Sequence, residues 1–259
     1  MDLGLKNKRV LITGASRGIG EEIAKQFAAE GCKLILIARN KKNLKEVINK
    51  IGGKKNDHSY ISANLTKVGA PTKVANKILK KFKKIDIIVH NIGGGLGNKD
   101  VFTNLKGWID VWMFNVGISI EINNVIVPKM IKNKWGRIIN ISSLNSLTGG
   151  TTSHGEAPAP AYTCAKSYLN MYSKILGREV AKDNVIVSAV MPGVIISKGK
   201  YWEKLSKKNP KIVKNYIKNH QSVGRFGNAK EIAPFVLILA SKHATYSSAA
   251  NINIDGGYL

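Results

Sequence analysis

Residues 9–31 hold the feature that most limits the fold: an apolar run, a glycine-rich turn and an amphipathic segment, back to back. Arg9-Val10-Leu11-Ile12 has the length and branching of a buried strand. Thr13-Gly14-Ala15-Ser16-Arg17-Gly18-Ile19-Gly20 follows, and then Ile23, Ala24, Phe27 and Ala28 recur at helical spacing before Gly31. In such a turn backbone N–H groups can approach a pyrophosphate with no Cβ in the way, and the helix dipole favours the anion. The spacing is Gly-x3-Gly-x-Gly, not the commoner Gly-x-Gly-x-x-Gly fingerprint, so the turn alone leaves a purely structural role open.

The rest of the chain keeps the same rhythm. Strand patterns stand at 10–13, 34–38, 58–61, 85–89, 137–141, 185–190 and 251–254, with helical patterns at 18–30, 42–51, 71–82, 111–131, 162–180 and 229–240 between them. Strand–helix alternation predicts an α/β fold: a Rossmann-type doubly wound parallel sheet of about seven strands, with helices on both faces and right-handed crossovers. No linker or repeat interrupts it, so residues 1–259 read as a single domain. One stretch breaks the rhythm. Residues 197–221 are Lys-rich, carry Tyr201 and Trp202, and follow the sixth strand. A long excursion there is where open α/β sheets bind ligands, and a substrate lid is expected, against the plainer reading of a solvated helical hairpin.

Charge narrows the partners less than its size suggests. The net charge is +25, but 35 of the 41 basic residues are Lys and they are spread along the chain. Arg-rich stripes interleaved with aromatics are missing, so a solvated basic surface, attractive to an anionic substrate or acidic partner, is expected and nucleic acid is not. No unbroken run of about 18 apolar residues occurs, so no membrane partner is expected. The first strand begins too early for a signal peptide, and Cys32 and Cys164 fit no metal spacing or disulfide framework. A cytoplasmic protein without a metal is the expectation.

The end of the second strand pattern bears on cofactor choice. In a dinucleotide fold an acidic residue there binds the ribose hydroxyls of NAD. This chain has Ala38-Arg39 instead. A guanidinium can pair with a 2′-phosphate and stack on adenine, and Arg17 would approach the same phosphate from the glycine turn. Two cations and no carboxylate predict NADP (NADPH) over NAD.

Chemistry is concentrated between residues 136 and 166. Gly136-Arg137-Ile138-Ile139-Asn140-Ile141-Ser142-Ser143 is a strand pattern ending in two serines, and Tyr162-Thr-Cys-Ala-Lys166 opens a helix. The i, i+4 spacing puts phenol and ammonium on one helix face. A fixed positive charge favours the phenolate while burial opposes it, so the Coulomb effect has to win. A serine hydroxyl at the strand end would hold a carbonyl oxygen beside the phenol.

Taken together and in order, these pieces resemble the short-chain dehydrogenase/reductase family over nearly the whole chain. The matching residues are Thr13-Gly-x3-Gly-x-Gly20, Asn91-Ile92-Gly93, Asn115, Ser143, Tyr162-x3-Lys166, Pro192-Gly193 and the closing Asn253-Ile254-Asp255-Gly256-Gly257. The resemblance implies that Tyr162 exchanges a proton with the substrate oxygen, Ser143 orients that oxygen, and Lys166 holds the nicotinamide ribose and depresses the Tyr162 pKa. It implies that Asn115 fixes a water in a proton relay. Gly14, Ser16, Arg17, Gly18, Ile19 and Gly20 would bind the cofactor, together with Arg39, Asn64, Leu65, Asn91 and Gly93. Pro192, Gly193 and Ile195 would lie against the carboxamide, and Ser197 would bind the diphosphate. It further implies a homo-oligomer, tetramer or dimer, packed through the helices at 111–131 and 162–180.

Departures from the family pattern bear on the substrate. Asn64 replaces the usual Asp beside adenine, and its amide is expected still to accept that hydrogen bond. Ser143 and Tyr162 are 19 positions apart, more than the family usually has, and the extra residues form a loop at 148–160. There Ser153, like Ser146 before it, is a possible substitute for Ser143, and His154 and Glu156 either touch a polar substrate or sit on a solvated tip. The substrate is therefore expected to be a small ketone or secondary alcohol: a polar one such as a keto sugar or hydroxy acid, or a carrier-bound 3-oxoacyl group. Reductases of acyl carriers place cations before the Gly-Arg-Ile strand and near the end of the Tyr helix; Lys134 fits the first place, while Lys182-Asp183 occupies the second. The competing readings are a non-catalytic NADP-binding regulator and a basic nucleic-acid-binding protein.

Overall fold

The computed structural model describes residues 1–149, 160–197, 199 and 201–258. Its centre is a seven-stranded sheet of β1 (Arg9–Thr13), β2 (Lys33–Ala38), β3 (Ser59–Ser62), β4 (Ile87–His90), β5 (Gly136–Ile141), β6 (Val185–Pro192) and β7 (Asn251–Ile254). All pairings are parallel, in the order β3-β2-β1-β4-β5-β6-β7. Every residue of β4, β5 and β6 is buried, as near-continuous branched apolar runs demand of strands covered on both faces. The strand order reverses between β1 and β4, so the loops after them diverge and open a crevice at the C-terminal edge.

In chain order the helices are α1 (Gly18–Ala29), α2 (Lys41–Lys50), α3 (Ala70–Phe82), α4 (Leu105–Trp112), α5 (Ile118–Lys132), α6 (Asn145–Thr148), α7 (Pro160–Val180), α8 (Tyr201–Lys208), α9 (Pro210–His220) and α10 (Ala229–Ala240). Phe27 of α1, Leu44 of α2 and Val236 of α10 share one apolar layer with the sheet. Ile78 of α3, Ile122 of α5 and Val180 of α7 share the layer on the other face. The abundant asparagines serve as caps: Asn40, Asn104 and Asn209 accept the amides of Asn43, Gly107 and Ile212, and Asn228 forms a capping box with Glu231.

Three local differences from the sequence reading have physical causes. The imidazole of His58 accepts the Leu34 amide at 3.2 Å, so the third strand starts one residue later. The fourth helix starts at Leu105, six residues early, because exposed Leu105 and Ile109 blur its amphipathic signal. It runs through a π-helical turn, Met113–Gly117, into α5. The whole stretch Leu105–Lys132 is long and apolar enough to cross a membrane, but 61% of its most apolar window is buried and α5 packs on the sheet as a core helix.

The segment 197–221 forms α8 and α9, which pack on one another. It leaves and returns through one stem, where Gly227 donates to Val194 O at 3.0 Å and Ile196 donates to Gly227 O at 2.9 Å. Trp202 of α8 packs at a tilt against Tyr216 of α9 and Phe226, with ring centroids 4.5 and 4.8 Å apart. The far end is clipped to the segment after β7: Ser222 and Val223 donate to Gly257 O and Gly256 O, and His220 stacks on Tyr258.

Candidate active site

At the C-terminal end of β1 the chain has to turn sharply into α1, and glycine makes that turn possible. Gly14 and Gly18 have φ of 68° and 61°, and a Cβ on Gly20 would stand 2.5 Å from both Gly14 O and Asn91 Nδ2. Asn91 ties the turn to β4, its amide donating to Thr13 Oγ1 at 3.1 Å and its side chain to Gly14 O at 3.1 Å. Among the described residues no side chain caps the first amides of α1, so they remain available to an anion in the crevice.

That crevice is a cleft of about 1490 Å³. Of the residues singled out in the sequence, Gly14, Ser16, Arg17, Gly18, Ile19, Arg39, Asn64, Leu65, Asn91, Gly93 and Ser197 line it. Arg17 and Arg39 are exposed and, among the described residues, have no ion-pair partner, so both guanidiniums are free for a phosphate. Ser197 Oγ lies against Gly18, 3.6 Å from where a Cβ would be. Gly20 lies beneath the turn and serves packing. Pro192 does not line the cleft, and Gly193 and Ile195 line a separate cavity of about 80 Å³. The sequence reading missed Asn40, Asn43, Lys25, Lys50 and Lys230 as lining residues. Asn64 departs from expectation: its Oδ1 already accepts Thr66 N and Thr66 Oγ1, at 3.2 and 2.9 Å, so its acceptor is spent within its own turn.

Asn115 sits in the π-helical turn and is fully buried. Its Oδ1 accepts Gly94 N at 3.0 Å, and its Nδ2 donates to Gly94 O at 2.9 Å and Val111 O at 2.8 Å. This pairing explains the glycines at 93 and 94. Gly94 has φ of 148°, and a Cβ on Gly93 would meet Asn115 Oδ1 at 2.7 Å and Lys166 Nζ at 2.8 Å. Asn115 is thus spent on backbone and fixes the loop that connects the cleft to Lys166.

Ser143 follows β5, Tyr162 and Lys166 lie on α7, and the fold brings them together. Ser143 hydrogen-bonds the Tyr162 phenol. The Lys166 ammonium donates to Ile141 O at 2.8 Å and lies 5.7 Å from the Tyr162 ring centroid. The expectation that positive charge would lower the phenol is corrected here. Burial pushes Tyr162 above the ordinary tyrosine value, and the Ser143 hydrogen bond only partly offsets it. Burial also pushes Lys166 down to about 7, so its charge is itself costly where it stands.

Ser146, the substitute for Ser143, is turned away: its hydroxyl donates to Ser143 O at 2.5 Å and accepts from Asn170 Nδ2 at 2.7 Å. Ser153, His154 and Glu156 lie outside the described residues, as does most of the loop 148–160. Lys134, the cation before β5, is ion-paired with Asp183. No group of His, Cys, Asp and Glu suited to a metal occurs among the described residues.

A family model described as short chain dehydrogenase matches residues 8–207. The chain is 32% identical to the 3-oxoacyl-(acyl-carrier-protein) reductase of Aquifex aeolicus over 258 residues, 99% of each chain. It is similar to a crystal structure of L-sorbose reductase from Gluconobacter frateurii complexed with NADPH and L-sorbose, with a TM-score of 0.90, 30% identity and coverage of 100% of this chain and 99% of that one. It is also similar to a 3-oxoacyl-(acyl-carrier-protein) reductase from Agrobacterium tumefaciens with NADP bound, with a TM-score of 0.88, 25% identity and coverage of 99% and 96%.

Proposed function

Because the chain belongs to the short-chain dehydrogenase family, whose members interconvert CH–OH and C=O groups with a nicotinamide cofactor, we propose that it reduces a small polar ketone with NADPH. The observation that carries this reading is the joining of two arrangements through one loop. The uncapped turn at residues 14–20 and the Ser143–Tyr162–Lys166 group are connected by residues 91–94, which touch both.

The residues present fit the cofactor. The amides at the start of α1 and Ser197 would hold its diphosphate, Arg17 and Arg39 its 2′-phosphate, and Lys166 the nicotinamide ribose. When bound, NADPH supplies the hydride for the carbonyl carbon. The Tyr162 hydroxyl donates its proton to the oxygen that turns into alkoxide, and a raised phenol pKa keeps that proton in place at neutral pH. The Ser143 hydroxyl donates a hydrogen bond to the same oxygen as charge develops there. Lys166 then returns a proton towards Tyr162, which its pKa of about 7 allows near neutrality. Asn115 keeps the 93–94 loop clear of the ammonium.

Two observations favour a small polar ketone over a carrier-bound one. Lys134 is ion-paired with Asp183, a carboxylate with which an acidic carrier would have to compete for its first contact. The solved relative with L-sorbose also acts on a polyhydroxylated ketone. The segment with α8 and α9 would close over the substrate as a lid, and the chain would work in the cytoplasm. A homo-oligomer would form through the exposed apolar stripe of Leu105, Ile109 and Trp112 on α4 with Tyr168, Met171 and Ile175 on α7. Trp112 and Tyr168 meet edge to face at 5.6 Å, which joins the two halves of that stripe.

The test is a panel of keto sugars, 2-oxo acids and 3-oxoacyl thioesters, read by nicotinamide absorbance. A polar ketone is expected to turn over with NADPH, and Tyr162→Phe is expected to lower kcat by about 10²–10⁴-fold. Full activity in Tyr162→Phe on every active ketone would overturn the reading.

A further inference from the structure

Asn170 lies on α7, one helical turn beyond Lys166 and two beyond Tyr162, and therefore on the same face. It is 6% exposed. Its Nδ2 donates to Ser146 Oγ at 2.7 Å and contacts Met191 Sδ at 3.1 Å. The Ser146 hydroxyl in turn donates to Ser143 O at 2.5 Å, and Ser167 Oγ donates to Ser146 O at 2.9 Å. Ser143 O is thereby fixed from below, while Ser143 Oγ accepts Asn145 N at 3.2 Å and bonds Tyr162. On the other side the Leu144 amide donates to Pro192 O at 3.0 Å, next to Met191. One amide side chain thus holds together α7, the bend after β5 and the end of β6. Its Oδ1 is buried with no partner among the described residues, so the side chain is kept there although one of its polar atoms is unpaid.

From this geometry we infer that Asn170 is a positioning residue: acting through Ser146, it holds the Ser143 hydroxyl at hydrogen-bonding distance from the Tyr162 phenol. An amide fits this task because its NH₂ can donate while bringing no charge into an apolar place. A hydroxyl at Ser146 is the matching relay, since it accepts from Asn170 and donates onward to Ser143 in the same instant. Movement of the Ser143 oxygen by about 1 Å is enough to cost up to about 100-fold in rate, so a residue that never touches substrate can govern turnover.

The inference rests on the proposed reductase chemistry, and its test separates the two. Hydrogen exchange over residues 143–149 is compared in the unmodified protein, Asn170→Ala, Asn170→Leu and Ser146→Ala. All three variants are expected to exchange faster there while α1 and β1 stay unchanged. Asn170→Leu, which refills the volume, is expected to behave like Asn170→Ala, because the donor and not the bulk is missing. On the best ketone, kcat is expected to fall about tenfold in Asn170→Ala with the KM for NADPH unchanged. In a Ser143→Ala background, itself slower by about 10²–10³-fold, Asn170→Ala is expected to cost nothing further. Unchanged exchange at 143–149, rescue by Asn170→Leu, or a full tenfold loss on top of Ser143→Ala would each overturn the inference. A protein that reduces no ketone at all would overturn the functional reading, and the exchange pattern would still decide what Asn170 holds.

Discussion

Two bends stand at the C-terminal edge of the sheet, one after β1 and one after β5, and they are held by different means. The first, at residues 14–20, is held chiefly by backbone that glycine permits, with positive φ at Gly14 and Gly18 and no room for a Cβ on Gly20, and by one side chain, Asn91, that reaches in to Gly14 O. The second, at residues 143–146, is held by side chains reaching across from α7, with Asn170 and Ser167 gripping Ser146, and Ser146 gripping Ser143. The first bend must receive an anion from backbone amides, so a Cβ is kept away at the glycines where the main chain turns, while Arg17 projects from it. The second must aim one hydroxyl at one phenol, so it needs a directional network.

The contrast predicts different ways to break each bend. The largest effect belongs to the first: Gly20→Ala puts a methyl 2.5 Å from Gly14 O and from Asn91 Nδ2, and about 3 kcal/mol of stability should go, with NADPH affinity falling alongside. Thermal unfolding and nucleotide titration measure both, and a native-like melting curve for Gly20→Ala would mean that the bend tolerates side chains after all. Next comes the rim of the same bend. Ala38→Asp combined with Arg39→Ser removes a phosphate partner and adds a ribose acceptor, so the ratio of kcat/KM for NADP to that for NAD should fall by about 30-fold, or about 2 kcal/mol. An unmoved ratio would remove Arg39 from phosphate binding.

The smallest effect probes the buried end of the second bend. Lys166 has its pKa lowered to about 7 in the folded chain, against an ordinary value of 10.5. Between these values the unfolded chain binds the proton and the folded chain does not, so this residue's contribution to stability rises with pH across that window. Below it the fold carries a buried charge at full cost. Lys166→Met should therefore stabilise the ligand-free protein more at about pH 6 than at about pH 9, by about 1–2 kcal/mol. Urea unfolding of both proteins at the two pH values gives the answer, and equal gains would show that Lys166 keeps an ordinary pKa.

The same contrast explains what could be read before any coordinates. The first bend was legible because its logic is local: strand, glycines and helix start all fall within about thirty residues, and glycine is itself the signal. The five inner strands were legible because parallel strands buried on both faces are largely apolar, whereas the edge strands β3 and β7 mix polar and apolar residues and are only partly buried. The second bend was half legible. Ser143, Tyr162 and Lys166 announce themselves by type and order, but Asn170 is an ordinary residue in the middle of a helix, and only the crossing of α7 over β5 and β6 gives it a task. Asn115 shows the limit from the other side: the resemblance implied a role for it, but nothing in the sequence told that a π-helical turn would direct its side-chain amide to Gly94 and Val111. The balance between charge and burial at Tyr162 was also out of reach, since sequence spacing gives the neighbour but not the depth of water exclusion.

The stem formed by residues 194–196 and 227 has a consequence of another kind. Two hydrogen bonds bring the two ends of a thirty-residue excursion to neighbouring positions, so the sheet is indifferent to what is spliced between them. The cost of closing such a loop grows only slowly with its length. The excursion is therefore an exchangeable cassette: a lineage could replace α8 and α9 wholesale and acquire a new substrate while the hydride and proton machinery is inherited unaltered. The clip between residues 221–223 and 256–258 sets the terms of that trade. A replacement must either supply the same antiparallel edge or bring its own fastening.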